Sequence, residues 1–239
     1  KPEMPARLAH VEVVNATTGA VLGTAITGLD GSYTINAVGS GTANVKIRAI
    51  SKSHAFGSSV LRVTNATGQN YSVETPVWSN WNLSSDLDAG DLVSALMTSG
   101  GKHGNPFNIL DQMVAGVEYV KSLGANNPSV NLRLNWPGGS GSFASGTQAW
   151  IADDDGYDDI VQLHEFGHVL HNLYSDSDNP GGSHFISDSD QDPRLSYGEG
   201  WASYFSSAVR HFQGVHDAGI YVDANGGSNT GGKQLYIRY

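Results

Sequence analysis

The pentad His164-Glu165-Phe166-Gly167-His168 constrains this chain more than any other stretch. Two histidines four residues apart face the same way only on a helix. At about 100° per residue they lie one turn apart on one side, where both imidazoles can reach a single cation. The neighbouring residues keep the same period: His164, His168 and His171 fall within about 60° of one another, and Leu163, Phe166, Val169, Leu170 and Leu173 lie opposite. The stretch therefore reads as an amphipathic helix with an apolar face in the core and imidazoles on the other. Asp153, Asp154, Asp155, Asp158 and Asp159 stand at its start, where the helix macrodipole favours anions.

Composition narrows what the imidazoles can do. The chain has no cysteine, which excludes disulfide scaffolds, thiolate zinc sites and cysteine nucleophiles, so any metal is held by His, Asp or Glu. With 239 residues, 39% of them hydrophobic, it is long enough and apolar enough to bury a sizeable core. The net charge of -10 is unevenly placed: residues 1–75 carry +2, whereas residues 150–192 hold eleven Asp and Glu and no Lys or Arg. A surface of that sign repels phosphate backbones and argues against a nucleic-acid partner, while divalent cations become natural ligands. No run approaches the ~18 apolar residues of a membrane span. The chain opens Lys1-Pro2-Glu3, which reads as a processed or trimmed product, and thirty Gly with few Lys suit bacterial export. A secreted or cell-surface location is expected; the oligomeric state stays open.

Two textures divide the chain. Residues 1–75 form one expected domain, with β-type runs at 9–14, 21–27, 32–38, 43–51, 58–64 and 70–75 separated by turn residues. Regular short strands without a helical period predict an all-β sandwich. The segments Thr17-Thr18-Gly19-Ala20-Val21-Leu22 and Thr27-Gly28-Leu29-Asp30-Gly31-Ser32-Tyr33-Thr34-Ile35 resemble carboxypeptidase-regulatory or Cna-B-like sandwiches, which the resemblance casts as spacers or adhesive stalks. A linker-like stretch at 76–90 opens the second region, 76–239, expected to be α+β and open to being incomplete at its C-terminal end. There Asn105-Pro106 reads as an N-cap and first helical position, and Phe107, Leu110, Met113, Val114, Val117 and Leu123 recur at helical spacing up to Gly124. Runs 130–136 and 147–152 read as strands around a Gly/Ser loop.

Two imidazoles need a third protein ligand, and downstream stands Tyr197-Gly198-Glu199-Gly200-Trp201-Ala202-Ser203-Tyr204-Phe205. An H-E-x-x-H pentad followed by E-G-aromatic-A resembles the gluzincin zinc metallopeptidases. That resemblance implies a zincin-like catalytic domain, Zn²⁺ as cofactor, His164, His168 and Glu199 as metal ligands and Glu165 as the catalytic general base. The interval of about thirty residues before Glu199 is longer than in the thermolysin and aminopeptidase branches and nearer to bacterial collagenases. The implied reaction is hydrolysis of a peptide or protein substrate by metal-activated water. Oxyanion donors in such sites are often Tyr or His, which makes Tyr204, His211, His216 and Tyr221 candidates. Gln148, Ala149 and Trp150 are similar to the upper edge strand to which zincins add an extended substrate; an ordinary core strand fits these residues equally.

Other residues carry weaker expectations. His171 sits about 10.5 Å along the helix axis from His164, too far for one ion to take both, so it reads as a packing or supporting residue. His184, in a Gly-rich loop, can approach the site, and Ser203, one turn after Glu199, can support a ligand, although surface positions explain both. Gly167 inside a helix points to close backbone contact. Asp188, Asp190 and Asp192 occupy positions 1, 3 and 5 of an EF-hand-like loop with Glu199 at position 12, but Pro193 stands where the loop needs glycine. Calcium held by these aspartates without Glu199 stays open beside solvated carboxylates. Two alternatives to the peptidase share these motifs: an adhesive or carbohydrate-contacting surface protein with a structural or vestigial zinc site, and a zinc amidase or glycoprotein-directed peptidase.

Overall fold

The computed structural model describes residues 4–93, 104–184, 188, 190–216, 220–223 and 234–237, the last two stretches through their backbone alone. Seven strands come first: β1 (His10–Asn15), β2 (Val21–Ile26), β3 (Thr42–Ile50), β4 (Lys52–Phe56), β5 (Ser59–Thr64), β6 (Ser72–Glu74) and β7 (Trp78–Asn82). Helix α1 (Asn105–Ser122), strands β8 (Leu132–Asn135), β9 (Phe143–Ser145) and β10 (Gln148–Trp150), and helices α2 (Asp159–Tyr174) and α3 (Pro193–Phe212) follow, with an antiparallel pair β11 (Ile220–Asp223) and β12 (Gln234–Ile237). The N-terminal region is thus rich in sheet and the C-terminal region in helix, an α+β arrangement.

The strands sort into two five-stranded sheets in a way their order in the chain does not suggest. The first runs β2-β1-β3-β6, with β7 also paired to β3, and is antiparallel throughout. The second runs β4-β5-β8-β10-β9. In it β5, β8 and β10 are parallel, and β4 and β9 flank them antiparallel. The chain crosses from one sheet to the other at Ser51, which is fully buried: its Oγ donates to the Val63 carbonyl at 2.7 Å and accepts from the Tyr71 N–H at 2.9 Å. The second sheet therefore draws strands from both sides of residue 75, and the N-terminal strands do not close a sandwich by themselves.

Segment 32–38, expected as a strand, joins no ladder. Its Val38 N–H reaches the Leu22 carbonyl at 2.7 Å, while Tyr33, Ile35 and Ala37 pack with Val13, Val45 and Ile47 of the first sheet. The alternation that suggested a strand reports burial of every second residue, which an extended cover segment shares with a paired strand. The antiparallel outer strand β9 arises inside the expected Gly/Ser loop, so β10 is an inner strand. Gln148, Ala149 and Trp150 are thereby corrected from a substrate-binding edge to an interior position.

The main core lies between the second sheet and the helices. Leu61, Val63, Leu132, Leu134 and Ala149 meet Ile109, Met113 and Val117 of α1, Leu163, Phe166 and Leu170 of α2, and Phe205 of α3. Burying each large apolar side chain contributes about 1.5–3 kcal/mol. Two glycines permit the close helix crossings. A Cβ on Gly116 would stand 2.9 Å from the Phe166 ring, and one on Gly167 would stand 3.0 Å from the Phe205 ring and 3.4 Å from the Ala202 Cα. Helix α1 starts one residue earlier than expected, with Gly104 at the cap position, because Asn105 is turned into the interior against Gly156. Arg7 ties the N-terminal segment to α1, its Nε donating to Asp111 Oδ1 at 2.6 Å and its Nη1 to Glu118 Oε2 at 3.0 Å. Among the described residues no helix is long and apolar enough to cross a membrane.

Candidate metal centre

Helix α2 begins at Asp158, whose carboxylate accepts from the Ile160 and Val161 N–H groups, the arrangement expected of an N-cap. From there the helical period delivers His164 and His168 to one side, while Leu163, Phe166, Val169 and Leu170 are buried on the other. Helix α3 begins at Asp192, which accepts from the Arg194 N–H at 2.9 Å, and its second turn brings Glu199 opposite the two imidazoles.

The three side chains converge on one point. His164 Nε2 lies 3.1 Å from Glu199 Oε2 and 3.2 Å from His168 Nε2, and His168 Nε2 lies 3.3 Å from Glu199 Oε1. Ligand atoms held by a tetrahedral ion at about 2.0–2.1 Å stand roughly 3.3 Å apart, so these three fit around one ion. Two imidazole nitrogens facing each other at that distance also require a cation or a proton between them. Among the described residues, His164, His168 and Glu199 are the group able to hold a metal ion.

The surroundings complete the centre. Burial by itself would raise the Glu199 pKa, but hydrogen bonds and charge from His164 and His168 outweigh it and hold this carboxyl well below the usual range. Glu165 is buried on α2 beside the cluster; burial pushes its pKa up, partly offset by the two histidines. Ser203, one turn after Glu199, places its Oγ 3.2 Å from His164 Nδ1, where it fixes the ring with Nε2 turned inward. His184 reaches the cluster from the loop before α3: its Nε2 is 3.4 Å from Glu199 Oε1, and its Nδ1 is 2.8 Å from the Gly182 carbonyl. Gly181 and Gly182, with φ of 64° and 112°, allow that loop to double back. Both residues had a sequence signal, Ser203 by its helical phase to Glu199 and His184 only by the glycines before it.

The remaining candidates are placed elsewhere. His171 packs on Trp201, with ring centroids 4.8 Å apart, and burial lowers its pKa. Tyr204 and His211 share α3 with Glu199 but stand about 140° and about 120° round the helix from it. His216 lies exposed after the helix end, and Tyr221 falls in β11, whose side chains lie outside the described residues. Asp188 accepts from Gln191 at 2.9 Å, Asp190 adopts φ 71°, and Asp192 caps α3 and pairs with Arg194 at 2.7 Å. Capping gives Asp192 a structural occupation, and among the described residues the three aspartates do not form a ligand group.

Compared with family models, with curated proteins and with solved structures, the chain matches none.

Proposed function

We propose that the chain is a zinc-dependent metallopeptidase. The observation that carries the reading is the convergence of His164 Nε2, His168 Nε2 and a Glu199 oxygen within 3.1–3.3 Å, with the buried Glu165 carboxyl beside them. Two imidazoles and one carboxylate form a donor set suited to zinc, and three protein ligands leave a position for a reactant. When bound, zinc supplies Lewis acidity, acidifying water and polarising a carbonyl. His164, His168 and Glu199 would hold the ion, and Ser203 would keep the His164 ring in the ligating orientation. Glu165, its pKa raised by burial, accepts a proton at the attacking oxygen and returns it to the leaving amine. Strand β9 is the outer strand of the sheet and packs against α2, so its backbone is open to pairing by an extended peptide.

The reading is tested with a quenched peptide library and a zinc assay on purified variants. Glu165→Gln is expected to keep stoichiometric zinc and lose at least 99% of hydrolysis, since a positioned base contributes about 10²–10⁴-fold. Glu199→Ala is expected to lose zinc. Full activity in the first variant, or full zinc occupancy in the second, overturns the assignment.

A further inference from the structure

The second sheet has another face, turned away from the helices. Leu61, Val63, Leu132, Leu134 and Ala149 are buried on the helical side, so strand alternation puts Arg62, Arg133, Gln148 and Trp150 on the opposite side. The register aligns these residues across the sheet: Lys52 opposite Arg62, Arg62 beside Arg133, Arg133 beside Gln148 and Gln148 opposite Ser145. Four gaps of about 4.8 Å give a row roughly 19 Å long. Three of its members are cations on adjacent strands.

A row of like charges destabilises a sheet unless something compensates it. Lys52 has partial compensation, with its Nζ 4.0 Å from Glu12 Oε1. Arg62 and Arg133 have no carboxylate within ion-pair distance among the described residues. Among the described residues Arg62 Nε is buried without a hydrogen-bond partner, so no acceptor on the protein offsets this guanidinium through it. Arg133 is held in a fixed orientation by Gln148, whose Oε1 accepts from Nε at 2.9 Å and also from Nη2. Two residues further along the same strands, Trp150 and Phe143 stack at 4.7 Å with planes 9° apart, and Phe143 is 50% exposed.

We propose that this face binds an acidic polysaccharide, whose carboxylate or sulfate groups lie along Arg62 and Arg133 while the C–H face of one sugar ring rests on Phe143. Fixed guanidinium groups beside a neutral aromatic plate match a polymer with anionic groups on flat-faced rings. The row lies on the opposite face of the sheet from the metal-centre helices, so the proposal does not rest on peptidase activity.

Affinity electrophoresis of the full chain through gels containing polygalacturonate, chondroitin sulfate, neutral dextran or single-stranded DNA tests it. Retardation by one or both acidic glycans and none by dextran is expected, and the two glycans separate carboxylate from sulfate recognition. Arg62→Gln with Arg133→Gln is expected to weaken that binding at least tenfold, and Phe143→Ala about threefold. Arg62→Lys with Arg133→Lys, which keeps the charge but not the planar guanidinium fork, is expected to bind more weakly than wild type and more tightly than the Gln variant, separating lost recognition from lost folding. Chelator is expected to leave binding unchanged. Unretarded migration in both glycan gels, undiminished binding by the Gln variant, tighter binding of DNA than of either glycan, or loss of binding with chelator each overturns the proposal.

Discussion

Ser203 has one polar contact at the metal centre, and its chemistry can be isolated. Its hydroxyl stands 3.2 Å from His164 Nδ1, so Ser203→Ala removes the group that fixes the ring while leaving every ligand in place. Zinc affinity is expected to fall about tenfold, read by competition with a chromophoric chelator, with the unfolding midpoint unchanged. Unaltered affinity would show that the α2 backbone alone orients His164. At this scale the sequence was readable where a residue's position follows from helical phase. His164, His168 and the apolar face of α2 come from the 100° rule, and Ser203 lies one turn from Glu199. Glu199 itself was legible only through resemblance, because the 30 residues between it and His168 carry no period that places one helix against another. His184 depends on two positive-φ glycines whose effect on chain direction cannot be computed from spacing.

Helices α2 and α3 must cross closely for Glu199 to meet the imidazoles, and Gly167 sets that approach. A valine there drives methyl groups into Phe205 and Ala202, already 3.0 and 3.4 Å from the Cβ position. Gly167→Val is expected to destabilise the fold by about 1–3 kcal/mol in urea unfolding and to weaken zinc binding with it. The start of α3 adds a pH dependence. Hydrogen bonds from the Arg194 side chain and backbone lower Asp192 from an ordinary 3.8 to about 2. A carboxyl depressed in the folded state stabilises above its unfolded value and loses that contribution as it protonates. The first turn of α3 is therefore expected to be held above about pH 4 and released as pH falls through about 2. Amide exchange at Arg194 and Leu195 reads this directly, and Asp192→Asn is expected to remove the dependence. Long helices with caps were legible as elements. Strand β9 was not, because three residues amid Gly and Ser carry too little pattern, and 32–38 was misread because alternate burial does not reveal hydrogen bonding.

At the scale of the whole molecule, the sheet beneath the metal centre is shared between the two halves of the chain. The composition shift near residue 75 is real, yet Leu61–Thr64 pair in parallel with Leu132–Asn135 across it. A fragment starting at residue 76 loses β4 and β5 and leaves the inner strand β8 with a bare edge and its leucines partly uncovered. It is expected to unfold without a cooperative transition and to bind zinc far more weakly than the full chain, measured by thermal melting and chelator competition. A fragment that melts sharply and binds zinc as the full chain does would make the shared sheet dispensable. Parallel pairing over such a separation has no local signal: the two runs look like independent strands, and only tertiary packing joins them.

That pairing also sets a clock on biosynthesis. The hairpin β4–β5 leaves the ribosome with the β5 edge bare, and its partner β8 emerges only after 67 further residues have been made. At 5–20 residues per second the wait lasts roughly 3–13 s, during which an exposed strand edge is open to the wrong neighbour. The nascent chain therefore passes through a window in which its yield depends on what shields that edge.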